Sequence, residues 1–407
     1  MDKINGGDTA FVLLSAALVM LMTPGLAFFY GGLVRRKNVL TIMMQSFISL
    51  GIVTLLWVLV GFSLAYSGDV GGVIGDFKNV GLVGVGLTPS LTYAPTVPFL
   101  GFFLFQVMFA IITPALITGA FADRVTFKAY LIFLVAWSLL VYIPFVHWVW
   151  GGGFLAKMGV VDFAGGIVVH LSAGMAALAS VFVVGNRRFA PSEKRAPHNI
   201  AFVALGTGLL WFGWFGFNGG SALAANGIAA VAFVNTNTAA AMGMVAWLLL
   251  AWWRERRPSM TGAMTGAVAG LATITPAAGF VQPWAAAIIG LLAAIVCYGA
   301  VQFRIKQGWD DALDVWGVHG VGGGLGTILT GVFASAAINS VKGWGEGNPH
   351  QLGVQVLGVA IAGAYAFAVT YGLLKVLNLF TRVRVSEETE TLGLDEVLHG
   401  EAAYEWA

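Results

Sequence analysis

Apolar stretches long enough to cross a bilayer alternate along this chain with short polar connections. A spanning helix needs about 20 mostly apolar residues. On that criterion the sequence predicts eleven: 9–33, 39–66, 97–122, 127–149, 162–185, 200–220, 227–253, 260–279, 284–303, 314–336 and 352–379. Two of these, 200–220 and 260–279, are rich in glycine and polar residues and have the weakest signal. The segment 67–96, with Pro89 and Pro95 as turn residues, reads as the one long connection on its side. After residue 380 the hydropathy collapses into VSEETETLGLDE, an acidic polar tail whose plainest reading is a frayed terminus. The expected division is therefore a transmembrane domain over 1–380 and a cytoplasmic tail over 381–407.

Composition turns the apolar pattern into a statement about solvent. Only 10% of residues are charged and 58% are hydrophobic, with a mean hydropathy of +0.85. Soluble domains carry about 25% charged residues, so lipid must cover most of this surface. Glycine, at 55 residues, suits membrane helices because small residues let backbones approach closely. The single cysteine, Cys297, lies in an apolar run and reads as a small core residue. The start, MDKINGGD, has no basic leader followed by a small-residue cleavage site, so the first helix is expected to be its own insertion signal.

Basic residues set the expected orientation. Alternate connections hold Arg35, Arg36 and Lys37, then Arg124 and Lys128, then Arg187, Arg188, Lys194 and Arg195. The same side continues with Arg254, Arg256 and Arg257, then Arg304 and Lys306, then Lys375, Arg382 and Arg384. The other side has only Lys3, Lys78, Lys157 and Lys342 of the 21 Lys and Arg residues. The positive-inside rule places the N-terminus outside and the C-terminus in the cytoplasm of a plasma-membrane protein.

Two segments of the chain resemble each other. DFAGGIVVH (162–170) and DALDVWGVH (311–319) each place an Asp eight residues before a His at the start of the fifth span of a half. FYGG ending at Gly32 is echoed by FNGG ending at Gly220. The repeats are about 9–185 and 200–336, with 352–379 as an extra helix. Five spans per repeat put the second copy upside down, as in inverted-repeat transporters. Eight helical residues advance about 12 Å, which would bring His170 and His319 from opposite ends to the midplane of a core of about 30 Å. They could meet at the pseudo-two-fold axis.

Each histidine alone could be a satisfied core residue, but a pair at matched depth points to function. Asp162 reads first as a helix cap, with an electrostatic role in addition; Asp311 and Asp314 read as structural. No Lys, Arg or Glu lies deep in a predicted span. A carboxylate cage for a coupling cation is therefore missing, as are the remaining ligands of a zinc site and a catalytic set. No cofactor, metal or nucleic acid is expected, and the chain does not read as an enzyme. Two imidazoles in a glycine-flanked, apolar setting suit a small, polar, proton-exchanging solute.

The segments TPGLAFFYGGLVRRKN (23–38), FQVMFAIITPALITGAFADR (105–124), HWVWGGG (147–153), DFAGGIVVH, FGWFGFNGGSA (212–222), DDALDVWGVHG (310–320) and GLDEVLHGEAAY (393–404) closely resemble the Amt/Mep/Rh ammonium transporters. The resemblance implies an eleven-helix, all-α membrane protein with a pore through each monomer, assembled as a homotrimer. It would pass ammonium or ammonia, and often methylammonium. It implies an outer recruitment site of Phe109, Trp150 and Ser221, a gate of Phe109 and Phe217, a pore pair of His170 and His319, and Asp162 shaping the outer site. Trp316 stands where many members have phenylalanine. The implied partner, besides lipid, is a PII-type nitrogen signal protein at the cytoplasmic exits. Without the resemblance, Trp150 would read as an interfacial belt residue and the phenylalanines as core. His147 reads as structural, and His198, His350 and His399 as surface residues.

Born estimates put the cost of a bare cation in an apolar medium at tens of kcal/mol, and an aromatic face offsets only about 0.5–2 kcal/mol. The ion should therefore lose its proton near the outer site and cross as ammonia past imidazoles that can donate or accept. The proton could return outside, giving an electroneutral gas channel, or be relayed along the histidines; relay is the expected course. A sensor of transporter fold is the alternative. Sensors often carry an extra signalling domain, whereas about two dozen residues follow residue 384.

Overall fold

The computed structural model describes residues 4–189 and 196–404. Lys194 and Arg195, and Lys3 on the opposite side, lie outside the described residues. The chain forms a bundle of long helices: α1 (Gly6–Leu33), α2 (Val39–Leu56, running on through Trp57–Gly61 and Phe62–Tyr66) and α3 (Phe99–Ile117). Then come α4 (Phe127–Trp137, through Ser138–Tyr142 into Ile143–Val149), α5 (Gly166–Leu171 into Ser172–Val184), α6 (Ile200–Gly220) and α7 (Gly227–Glu255). The last are α8 (Met260–Ile274), α9 (Pro283–Lys306), α10 (Trp316–Gly320 into Val321–Phe333), α11 (Pro349–Phe380) and a short α12 (Glu387–Leu392).

Among the described residues, nine helices are long and apolar enough to cross a membrane. α8 has 15 residues, and the regular part of α10 has 13, after a five-residue π turn. The connection at 67–96 contains a small antiparallel pair, Pro89–Ser90 with Ala94–Pro98.

α1 and α6 pack lengthwise, and glycine makes their approach possible. A Cβ at Gly25 would lie 3.0 Å from the Leu209 Cβ, and one at Gly206 would run into the backbone of Phe29 and Gly25. Both helices start alike: the Asn5 side chain accepts from the Asp8 nitrogen at 3.1 Å, and that of Asn199 from the Phe202 nitrogen at 3.0 Å. These caps satisfy amides that helix ends leave open.

The basic end of the bundle is knitted by ion pairs. Arg35 Nε lies 2.9 Å from Asp123 Oδ2, and Arg187 Nη2 lies 2.7 Å from Asp310 Oδ1. Arg304 Nε bonds Asp314 Oδ1 at 2.7 Å. Arg124 is fully buried and donates to the carbonyls of Gly185, Ala122, Ala120 and Asp310. Part of the positive charge on this side is thus neutralised inside the protein. Burial works to raise the Asp310 carboxyl, but the neighbouring Arg187 and Arg124 outweigh it and hold that group well below the ordinary carboxylate range.

The tail departs from the frayed reading. Asp395 accepts from the Leu40 nitrogen (2.9 Å), the Thr41 nitrogen (2.7 Å) and the Thr41 hydroxyl (2.8 Å), capping α2. Lys37 donates to the Thr391 carbonyl at 2.7 Å, and the Leu394 nitrogen donates to Asn38 Oδ1 at 2.8 Å. Glu390 is buried, and accepts from Arg384 at 2.8 Å and from the Arg188 nitrogen at 2.6 Å. His198 pairs with the Tyr404 hydroxyl at 3.0 Å, and His399 packs edge-on against Phe127. Neither is the plain surface residue expected of it; His350 is exposed.

Candidate functional site

The two repeated Asp–His motifs fold alike. Asp162 and Asp311 do not begin their helices: regular structure starts at Gly166 in α5 and near Trp316 in α10. Only the four steps from Gly166 to His170 are helical, a rise of about 6 Å rather than 12 Å. The carboxylates nonetheless reach forward. Asp162 accepts from the nitrogens of Gly165 (2.8 Å), Gly166 (2.7 Å), Ile167 (2.7 Å) and Val168 (3.3 Å). Asp311 accepts from the Trp316 nitrogen at 2.7 Å. In each motif the third residue after the Asp has a positive φ, 121° at Gly165 and 61° at Asp314. Each histidine then falls in a π turn, a distortion that recurs at functional sites.

The structure brings His170 and His319 together. Both are buried, their rings are nearly parallel at 19°, and their Nδ1 atoms are 3.2 Å apart. In two neutral rings such a contact needs one Nδ1–H and one Nδ1 lone pair, so the tautomers differ. One Nε2 is then an acceptor and the other a donor. His170 Nε2 has no partner among the described residues.

The contact depends on glycines that the motif comparison did not single out. Gly174 and Gly323 each stand four residues after a histidine. A Cβ at Gly174 would overlap the Gly320 backbone, and one at Gly323 would lie 2.7 Å from the His170 Cβ and 2.6 Å from the Gly166 oxygen. The signal was present as the shared spacing. Trp214 is a second omission: its ring lies 5.4 Å from that of His170, and its Nε1 donates to the Thr275 hydroxyl at 2.9 Å.

Three cavities follow one another past this pair. The first, of about 280 Å³, lies beside the 67–96 connection and is lined by residues including Tyr66, Tyr93, Gln106, Phe109, Trp150 and Ser221. Phe109 and Trp150 meet edge to face with centroids 6.0 Å apart. Ser221 donates its hydroxyl hydrogen to the Phe217 carbonyl at 2.9 Å, which leaves its lone pairs to accept. Trp150 Nε1 donates to the Asp162 carbonyl at 2.8 Å, tying this cavity to the histidine motif. Phe109 packs on Phe217 at 4.2 Å and 35°, and Phe217 lines the second cavity. That cavity, of only about 10 Å³, is bounded by His170, His319, Trp214 and aliphatic side chains; about 10–15 Å³ is the least that holds one water. The third, of about 340 Å³, is lined by His319, Phe29, Tyr30, Tyr298 and Asp314 and lies toward the basic end.

His147 is fully buried behind the first cavity, between the Ala65 carbonyl and Asp69 Oδ1, each at 3.0 Å. Asp69 also pairs with Lys157. Trp316 packs on Trp309 at 5.7 Å, near the basic end. Cys297 is buried.

Comparison with known proteins decides what kind of molecule has this passage. The family model "Ammonium Transporter Family" matches residues 10–404. The chain belongs to that family. It is similar to the ammonium transporter of Bacillus subtilis (strain 168), with 48% identity over 402 residues and 98% of each chain covered. It is similar to ammonium transporter Amt1 of Archaeoglobus fulgidus, with 46% identity, 98% of this chain and 100% of that one covered. Among solved structures, Candida albicans Mep2 superposes with a TM-score of 0.89 at 37% identity, covering 99% of this chain and 91% of that chain. A protein described as "Sensor Amt Protein" gives a TM-score of 0.89 at 33% identity, with 98% of both chains covered. An ammonium transporter of this family is a multi-pass membrane protein, and a passage blocked by aromatic rings and paired imidazoles is the part of it to explain.

Proposed function

We propose that this transporter takes ammonium, and methylammonium with it, from outside the cell at Phe109, Trp150 and Ser221. It removes a proton there and passes ammonia through the Phe109–Phe217 gate and between His170 and His319, with the proton relayed inward. The observation that carries this reading is the 3.2 Å Nδ1–Nδ1 contact inside an apolar cavity of about 10 Å³. A hydrated cation does not fit there, and a bare one would face a desolvation cost that aromatic contacts of about 0.5–2 kcal/mol do not offset. Ammonia fits, and the complementary tautomers offer it one donor and one acceptor. A proton moving through the pair switches both tautomers, which makes the pair competent for relay.

The wider architecture belongs to the same proposal. Eleven spans, with α8 the short one and α10 the glycine-rich one, form five-plus-five inverted repeats, and α11 adds to them in a transmembrane domain over 1–380. The matched Asp162 and Asp311 turns support that symmetry. The excess of basic residues supports an extracellular N-terminus and a cytoplasmic tail over 381–407. The family resemblance supports a homotrimer and a PII-type protein docking at the cytoplasmic exits. Asp162 shapes the outer site through the Trp150 bond to its carbonyl, and its carboxylate adds negative potential.

The test is the current through purified protein in liposomes on an ammonium pulse. A transient inward positive current supports relay, whereas ammonia uptake without current leaves an electroneutral gas channel. The likeness to the "Sensor Amt Protein" favours a second reading, an ammonium sensor of transporter fold. Tight ammonium binding with neither current nor uptake would select it.

A further inference from the structure

The proposed outer site is short of acceptors. Ammonium has four N–H bonds, and a cation leaving water needs a partner for each. Ser221 supplies one lone pair, and the orthogonal faces of Phe109 and Trp150 supply two π contacts. The same cavity is lined by Gln106 and Tyr66, both more than nine-tenths buried. Gln106 Oε1 and the Tyr66 hydroxyl are buried polar atoms with no hydrogen-bond partner among the described residues. Buried polar groups are nearly always satisfied; neither atom is itself open to the cavity that its side chain lines, and with its oxygen unbonded the Gln106 amide can turn to present that oxygen to what the cavity receives. Gln106 stands three residues before Phe109 on α3, on the same helix face.

We infer that Gln106 is the fourth acceptor of the recruitment site and sets its preference for ammonium over methylammonium; the inference rests on the ammonium reading above. Its amide oxygen takes the N–H that the aromatic faces and Ser221 leave over. Which end of the amide faces the cavity is fixed by what is bound, because the amide can present oxygen or nitrogen. Methylammonium has only three N–H bonds, all met by Ser221 and the two rings, so its methyl group gains nothing from this oxygen. The Tyr66 hydroxyl, beside the same cavity, can hold a water that shares the amide. Gln106 is thus a specificity residue separate from the chemistry at the histidines.

The experiment measures half-saturating concentrations for ammonium and methylammonium currents in liposomes, for wild type, Gln106→Leu, Gln106→Glu and Ser221→Ala. Gln106→Leu should raise the value for ammonium about tenfold, as expected for losing a hydrogen bond to a charged group, and that for methylammonium less than twofold. Gln106→Glu keeps an acceptor and adds charge, so it should lower both values. It carries the test by itself if the leucine variant does not elute as an intact protein. Equal factors for the two ions in Gln106→Leu, or higher values for both ions in Gln106→Glu, overturn the assignment of Gln106 while a Ser221→Ala shift in both ions keeps the site. If Ser221→Ala shifts neither ion, the outer-site reading itself fails and takes the inference with it.

Discussion

Gly174 faces the backbone of Gly320 with no room for a methyl group between them. That approach holds α5 and α10 at the separation where His170 and His319 touch. Gly174→Ala should force the helices apart or shift the α10 backbone, at a cost of about 1–3 kcal/mol from overpacking. Transport should fall at least tenfold, because a small shift breaks a 3.2 Å contact. Thermal unfolding in detergent and ammonium current in liposomes read the two effects separately. Wild-type values in both would mean that the glycine contact does not set the histidine geometry.

Asp162 combines two roles that substitution can divide. Its carboxylate accepts four backbone N–H bonds, and its own carbonyl anchors Trp150. Asp162→Ala leaves those amides open and should destabilise the start of α5 by about 0.5–2 kcal/mol or more, with loss of transport. Asp162→Asn keeps a cap but drops the charge. If the Asn variant transports like wild type, the electrostatic contribution is absent and the cap alone matters.

Much of this was legible in the sequence for definite reasons. Hydropathy located the long helices because lipid imposes a length. α8 was read from an apolar run but is shorter than a full span, and α10 is as long as α5 to within a residue but diluted by glycine, since such pieces pack inside the bundle where backbone groups find protein partners. The helical advance to the histidines was overestimated because Asp162 and Asp311 lie in turns ahead of their helices, and a carboxylate reaching to the fifth residue looks in sequence like a helix start. The docked tail was hidden because its partners, Asn38, Thr41 and Arg188, are hundreds of residues away. Phe109 and Phe217 stand apart from the other phenylalanines by packing on each other between the first and second cavities, which no local pattern encodes; resemblance alone singled them out.

The tail contacts lead to a prediction about regulation. Asp395→Ala removes three hydrogen bonds to the first turn of α2. Protease sensitivity of residues after 384 should increase, while the melting temperature of the membrane domain changes little. Truncation after 384 should abolish inhibition by a PII-type protein. Inhibition that persists in the truncated transporter would put the docking surface elsewhere.

Asp310 gives a pH dependence of known sign. Its carboxyl is held below the ordinary range in the folded protein, so the stability it contributes is fully present above an unfolded value of about 3.9 and is lost as pH falls through the lower folded value. Melting temperature should therefore be insensitive to this group from pH 8 down to about 4. Asp310→Asn should cost about 1.5–3 kcal/mol through the weakened Arg187 bonds, and the wild-type advantage should shrink only below about pH 4. An advantage that is constant through the most acid range would show that Arg187 does not depend on the charge.

The histidine pair should exclude potassium by chemistry rather than by size. Potassium resembles ammonium in charge and radius but has no proton to give up, so a passage that demands deprotonation rejects it without a carbonyl-lined filter. The apolar cavity of about 10 Å³ cannot hold a hydrated ion, and two imidazoles cannot replace its water shell. A carboxylate there changes both conditions, since it draws in water and compensates an intact cation. His170→Asp should therefore admit potassium along with ammonium. Replacing both His170 and His319 with alanine removes the relay and should leave at most a leak of neutral ammonia. Currents in liposomes on successive ammonium and potassium pulses test both statements. A wild-type ammonium current in the double alanine variant would sink the relay, and continued exclusion of potassium by His170→Asp would sink the filter argument even with the relay intact.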